Sequence, residues 1–202
     1  MDGRRLRLHD YPALYAVPGL YEAVVQDALG CRAPAVVAGL LARAAGGAAL
    51  RVIDLGAGNG VSGAALRDAG LEPVVGIDLL PEARAAALRD RPGLYRDYLA
   101  IDATMLDPAA IAVLRGHSPQ ALALVGALGG SHVPRGAVEA LRALLEPPAL
   151  VAYAFDVALG DPLGGSVGIG AERARERYVH RRTAAGGERI WEAVVSGPAV
   201  PD

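Results

Sequence analysis

The sequence predicts a doubly wound α/β fold with a mostly parallel sheet, and three observations predict it. From residue 50 onward, short apolar runs alternate with stretches patterned as helices. The apolar runs are hydrophobic on both faces, as strands covered by helices on each side must be. Asp54, Asp78 and Asp102 stand at the ends of the first three runs, where an open parallel sheet meets its ligand crevice.

Each element follows from local pattern. Before the first strand, residues 1–48 form a helical leader: Gly19 to Leu29 carries Leu20, Val24, Val25 and Ala28 at helical spacing, and a second helix after Pro34 buries Val36, Val37, Leu40 and Leu41. The aromatic stretch from Asp10 to Tyr15 reads as a lid or a packed leader. The core, residues 49–196, opens with Leu50 to Leu55 as a strand, a glycine turn, and a helix from Val61. Strands are then expected over Pro73–Ile77, Tyr98–Ile101, Ala121–Ala127 and Leu150–Phe155, with helices over Pro81–Leu88, Pro108–Leu114 and Pro134–Leu145. Right-handed crossovers make these strands parallel. Arg177–Thr183 and Arg189–Val195, joined around Ala185-Gly186-Gly187, read as an antiparallel hairpin at the sheet edge, giving seven strands, and Gly160 to Gly170 reads as a glycine-rich loop.

Composition narrows the function. A chain of 202 residues with 52% hydrophobic and 21% charged residues suits one well-buried domain. No apolar run approaches the ~20 residues of a membrane helix, and no apolar segment follows Arg4, Arg5 and Arg7 as a secretory signal would require. Cys31 is the only cysteine, which excludes an intrachain disulfide or a thiolate cluster and fits a cytoplasmic location. A net charge of -2 argues against a nucleic-acid surface. Every basic residue apart from histidine is Arg, so Schiff-base chemistry and a P-loop lysine are excluded. His9, His117 and His180 have no ligand spacing, and no metal is expected.

The chemistry concentrates at Asp54-Leu55-Gly56-Ala57-Gly58-Asn59-Gly60. Glycines lacking a Cβ let a ligand touch main chain ahead of a helix N-terminus. Asp78 at the second strand end is placed to accept from a ribose diol, and Asp102 with the N–H of Ala103 to read adenine. Gly58 to Gly63 formally matches the dinucleotide fingerprint. Asp54, however, would repel a pyrophosphate and attract a cationic ligand, so charge sign separates the two readings. The bland alternative is that the glycines serve a tight turn and the aspartates cap helices.

The motif set resembles class I S-adenosylmethionine-dependent methyltransferases of the small-molecule type: the acidic residue and alternating glycines at 54–60, Asp78, Asp102-Ala103, the segment from Gly126 to Pro134, and the terminal hairpin. The resemblance implies a Rossmann-like fold and S-adenosyl-L-methionine as cofactor. It further implies that Asp54 holds the methionine amine together with main chain at Ala127. Gly56, Ala57, Gly58, Asn59 and Gly60 would pass under the methionyl chain, Asp78 with Leu79 beside it would hold the ribose, and Asp102 and Ala103 would hold adenine. Tyr11 or Tyr15 would close over the carboxylate. The implied partner is a small-molecule methyl acceptor, methylated at oxygen or nitrogen, with a homodimer as the assembly considered and neither nucleic acid nor membrane. His132 is the candidate base, or a loop histidine capping the next helix. The short Gly160–Arg173 cover motivates a second reading, a cyclase or isomerase built on the same cofactor fold. A non-catalytic subunit is a third, and an NAD-dependent oxidoreductase ranks last because a chain without Lys has no Tyr-x-x-x-Lys.

Overall fold

A computed structural model describes residues 10–128, 133–164, 170–182 and 187–198. In chain order, α1 (Tyr11–Ala16), a π-helical segment (Glu22–Ala28) and α2 (Ala33–Ala44) precede β1 (Arg51–Leu55) and α3 (Val61–Asp68). Next come β2 (Glu72–Asp78), α4 (Pro81–Asp90), β3 (Asp97–Ala100), α5 (Pro108–Gly116), β4 (Ala121–Leu124) and α6 (Arg135–Arg142). The chain closes with β5 (Leu150–Asp156), β6 (Ala171–Arg182) and β7 (Glu188–Gly197).

The seven strands lie in the order β3-β2-β1-β4-β5-β7-β6. The first five are parallel, and β7 pairs antiparallel with both β5 and β6. Strand order reverses between β1 and β4, which places the crevice at their carboxyl ends. The expected mostly parallel, doubly wound sheet with a terminal hairpin is the observed one.

The period-two pleat divides the core into two layers. Ile53, Leu55, Leu122, Leu124, Val151 and Tyr153 pack with Leu114 of α5 and Val138 and Leu141 of α6. Their neighbours Val52, Ala121, Ala123, Ala152 and Ala154 pack with Val37, Leu40 and Leu41 of α2 and Leu66 of α3. Thus α2 belongs to the core layer, and among the described residues only 10–32 lie outside it as a leader.

Several boundaries differ from expectation. The helix expected over Gly19–Leu29 is present over 20–28 but is π-wound across Glu22–Ala28, between Gly19 at φ 72° and Gly30 at φ 62°. β4 ends at Leu124 because the chain turns through Gly126 at φ 70°. β6 starts at Ala171, six residues before the expected Arg177; the charges that hid it belong to an exposed edge strand, where Arg175 pairs with Glu172 and Glu192. The hairpin tip at 183–186 lies outside the described residues.

Candidate cofactor and substrate cavity

The turn after β1 is built by hydrogen bonds to β2. The Gly56 and Ala57 N–H groups both donate to the Ile77 carbonyl, at 2.8 and 3.0 Å, and Gly58 N–H donates to Asp78 Oδ2 at 2.9 Å. Gly60 N–H closes the turn on the Ala57 carbonyl at 2.9 Å. Two glycines are required by space as well as by positive φ. A Cβ on Gly56 would lie 2.7 Å from Cβ of Ala127, and one on Gly58 would lie 2.5 Å from the Tyr15 hydroxyl.

Asp54 is where the structure departs most from the sequence reading. It shares the pleat parity of Val52, so its side chain enters the α2–α3 layer, fully buried, and does not line the cavity. Oδ2 accepts from the Ser62 hydroxyl at 2.6 Å and the Tyr95 hydroxyl at 2.7 Å, while Oδ1 is buried without a partner. Burial pushes its carboxyl up to about 6, against the opposing effect of those two hydroxyls. Its placement is that of a brace beneath the turn, and the expected contact with a ligand amine is corrected. Gly60 is likewise absent from the lining; it takes the left-handed cap position of α3 at φ 89°, against Leu94.

Sequence reasoning missed Tyr95 and Tyr98. Tyr98 donates to the Gly58 carbonyl at 2.6 Å, and the two rings meet edge-on at 5.6 Å. Together they fill the space that Gly63 and Gly76 leave open. The signal was present as unexplained glycines, but the partner rings are remote in sequence.

Above the turn lies a cavity of about 580 Å³, within the ~300–1,000 Å³ of small-molecule sites. Tyr11, Tyr15, Gly56, Ala57, Gly58, Asn59, Asp78, Leu79, Asp102, Ala103 and Ala127 all line it. His132 lies outside the described residues. Asp78 accepts from Gly58 N–H on one oxygen and from Leu80 N–H, at 3.0 Å, on the other. Burial raises its pKa. Asp102 follows the end of β3 and is exposed; the Thr104 hydroxyl and N–H, bound to Oδ1, hold its pKa down. Asp78 and Asp102 are the charged side chains among the described lining residues, and no Arg, Lys or His joins them.

The leader roofs the cavity. Tyr11 stacks on Tyr15 and Tyr15 meets Tyr21 at a tilt, with centroid separations of 6.1 and 5.2 Å, and burial lifts all three phenols above their ordinary pKa. Tyr15 packs on Ala83 and Ala86 of α4, and Arg89 donates to its carbonyl at 3.1 Å. Glu22 Oε1 accepts from Asn59 Nδ2 at 2.8 Å and from Arg91 Nη2 at 2.7 Å, and Arg91 Nη1 reaches the Asn59 carbonyl at 2.9 Å.

No protein-family model and no curated protein sequence matches the chain. Its fold, by contrast, recurs among solved structures. A 1,6-didemethyltoxoflavin-N1-methyltransferase from Burkholderia thailandensis, with its substrate and S-adenosylhomocysteine bound, shares 18% identity at TM-score 0.54, covering 98% of this chain and 93% of that one. The N-methyltransferase NodS from Bradyrhizobium japonicum, in complex with S-adenosylhomocysteine, shares 14% at TM-score 0.54, covering 80% and 85%. A proposed RNA methyltransferase from Pyrococcus horikoshii shares 14% at TM-score 0.59, covering 83% and 85%. The chain has the Rossmann-like fold of class I S-adenosylmethionine-dependent methyltransferases.

Proposed function

We propose that the cavity binds S-adenosyl-L-methionine and that the protein transfers its methyl group to oxygen or nitrogen of a small molecule. One observation carries the choice of ligand. The glycine turn has spent its Gly56, Ala57, Gly58 and Gly60 N–H groups internally, and the Asp78 carboxylate stands 2.9 Å from the Gly58 nitrogen. A diphosphate set there would find a carboxylate where it needs donors, with no cation in the described lining to offset the repulsion. A ligand carrying an ammonium and a sulfonium suits the same surroundings.

The residues present fit that ligand. Each Asp78 oxygen accepts one backbone bond and keeps a lone pair, so the carboxylate can also accept from a ribose diol. In this reading Asp102 and Ala103, beside Leu79, would hold adenine, main chain at Ala127 the amine, and Tyr11 or Tyr15 the carboxylate. The cofactor supplies an activated methyl on a good leaving group; the chain supplies alignment and exclusion of water. The tyrosine roof, with Tyr15 buried and Tyr11 and Tyr21 partly so, supports the second task. His132 is the base we propose where an acceptor needs one, and a reducing compartment such as the cytoplasm suits the lone thiol.

Calorimetry tests this directly. S-adenosylmethionine and S-adenosylhomocysteine should bind and NAD should not; NAD binding without either of the others overturns the proposal. Asp78→Asn should weaken S-adenosylhomocysteine binding by about 1.5–3 kcal/mol, the worth of a charge-assisted bond. An unchanged affinity would remove Asp78 from the site.

A further inference from the structure

The cavity is electrostatically lopsided along the sheet. Both carboxylates belong to the β2 and β3 ends, on one side of β1. On the other side, toward β4, the described lining includes Val125, Val133 and Pro134 together with Cys31 and Pro34 where the leader joins α2. Gln26 adds the single carboxamide at this end. Its side chain lies close to the Cys31 thiol, which burial keeps in its neutral form.

Resting on the cofactor assignment above, we infer that the β4 side of the cavity takes an uncharged, largely apolar small molecule whose polar group is read by Gln26. An anionic acceptor would be desolvated there with no cation in the described lining beside it, and burying an unpaired ion is far more costly than burying a neutral polar group. The two cavity carboxylates add repulsion. An acceptor held by its phosphates is disfavoured for the same reasons, so a nucleotide or nucleic-acid strand does not fit this end. An apolar ring or chain instead meets apolar surface on most sides, and one hydrogen bond to Gln26 fixes its orientation. Gln26 is then a specificity residue.

Three probes of one shape separate the charges: 2-naphthol, 2-naphthoate and 2-naphthyl phosphate, titrated calorimetrically into the full chain with saturating S-adenosylhomocysteine. 2-Naphthol should bind, and the two anions should bind at least about 100-fold more weakly. Gln26→Leu should weaken 2-naphthol about three- to tenfold, as loss of a neutral hydrogen bond does. Val125→Phe should abolish its binding by filling the space. Both variants should keep the wild-type affinity for S-adenosylhomocysteine, which also shows that they fold. No preference for 2-naphthol, including no binding by any probe, overturns the inference, as does unchanged 2-naphthol affinity in both variants. Failure of the cofactor reading shows separately, as absence of S-adenosylhomocysteine binding, and the same titrations into the protein alone then decide the preference of the apolar end.

Discussion

Gly63 stands inside α3, where alanine would ordinarily stabilise the helix by about 1 kcal/mol. A Cβ there would lie 2.3 Å from the Tyr95 hydroxyl and 2.6 Å from its Cζ. The ring has little room to retreat, because its hydroxyl is bound to Asp54 and its edge rests on Tyr98. Overpacking of about 1–3 kcal/mol therefore outweighs propensity, and Gly63→Ala should lower the melting temperature by a few degrees. Combining it with Tyr95→Phe, which removes the hydroxyl, should recover part of that loss. Strict additivity of the two in thermal melts would show that glycine and ring are not coupled. From sequence, Gly63 reads only as the last glycine of a fingerprint. The ring that requires it comes from the far side of α4, and no local pattern announces that contact. Asp54 illustrates the same limit: its position at the strand end is legible, but whether it faces the crevice or the layer beneath depends on which neighbours fill the pleat.

At the level of elements, the contacts that hold the leader to the core include the Tyr15 ring on α4 and the Glu22–Arg91–Asn59 cluster. Arg91 and Glu22 are largely buried, and Glu22 Oε2 is buried with no partner, so the cation is what makes this carboxylate tolerable away from water. Arg91→Ala should cost about 1–3 kcal/mol locally. Hydrogen exchange should then quicken at Tyr11 to Ala28 while α2, packed into the sheet layer, keeps its protection. Uniform exchange changes along the chain would mean that leader and core form one cooperative unit. The division at residue 48, expected from the helical pattern ahead of the first strand, does not separate the two. The strands were legible because continuous apolar runs survive as a pattern. The leader's π winding and the start of β6 were not, since neither leaves a periodic trace: β6 hides under alternating Arg and Glu that serve to charge an exposed edge.

For the whole molecule, the sheet order determines what the parts can do together. Three parallel strands set their carboxyl ends around one crevice, so Asp78 and Asp102 converge although they are distant in sequence, a convergence the alternation of elements made legible. The same architecture buries two titratable groups at opposite ends of the α2-side layer. Asp54 lies under the glycine turn, and His180 is stacked on Trp191 at 4.0 Å in the terminal hairpin. Burial raises Asp54 from 3.8 to about 6, whereas burial, then the nearby Arg181, lowers His180 from 6.5 to about 4. Above pH 6 the folded protein carries the full penalty of a charged Asp54. As pH falls from 6 toward 3.8, native Asp54 takes its proton before the unfolded chain does, and stability rises. For His180 the unfolded chain protonates first as pH falls below 6.5, so stability drops until about pH 4. Each effect is on the order of 3 kcal/mol, and they oppose one another across the same window. Wild-type melting temperature should therefore change little between pH 7 and 4.5. Asp54→Asn keeps an oxygen for Ser62 and Tyr95 but removes the rising contribution, so its melting temperature should fall on acidification. His180→Phe keeps a ring on Trp191 but removes the falling one, so its melting temperature should climb. Circular dichroism melts across that range decide the matter: parallel curves for the three proteins would show that neither buried group governs the acid response.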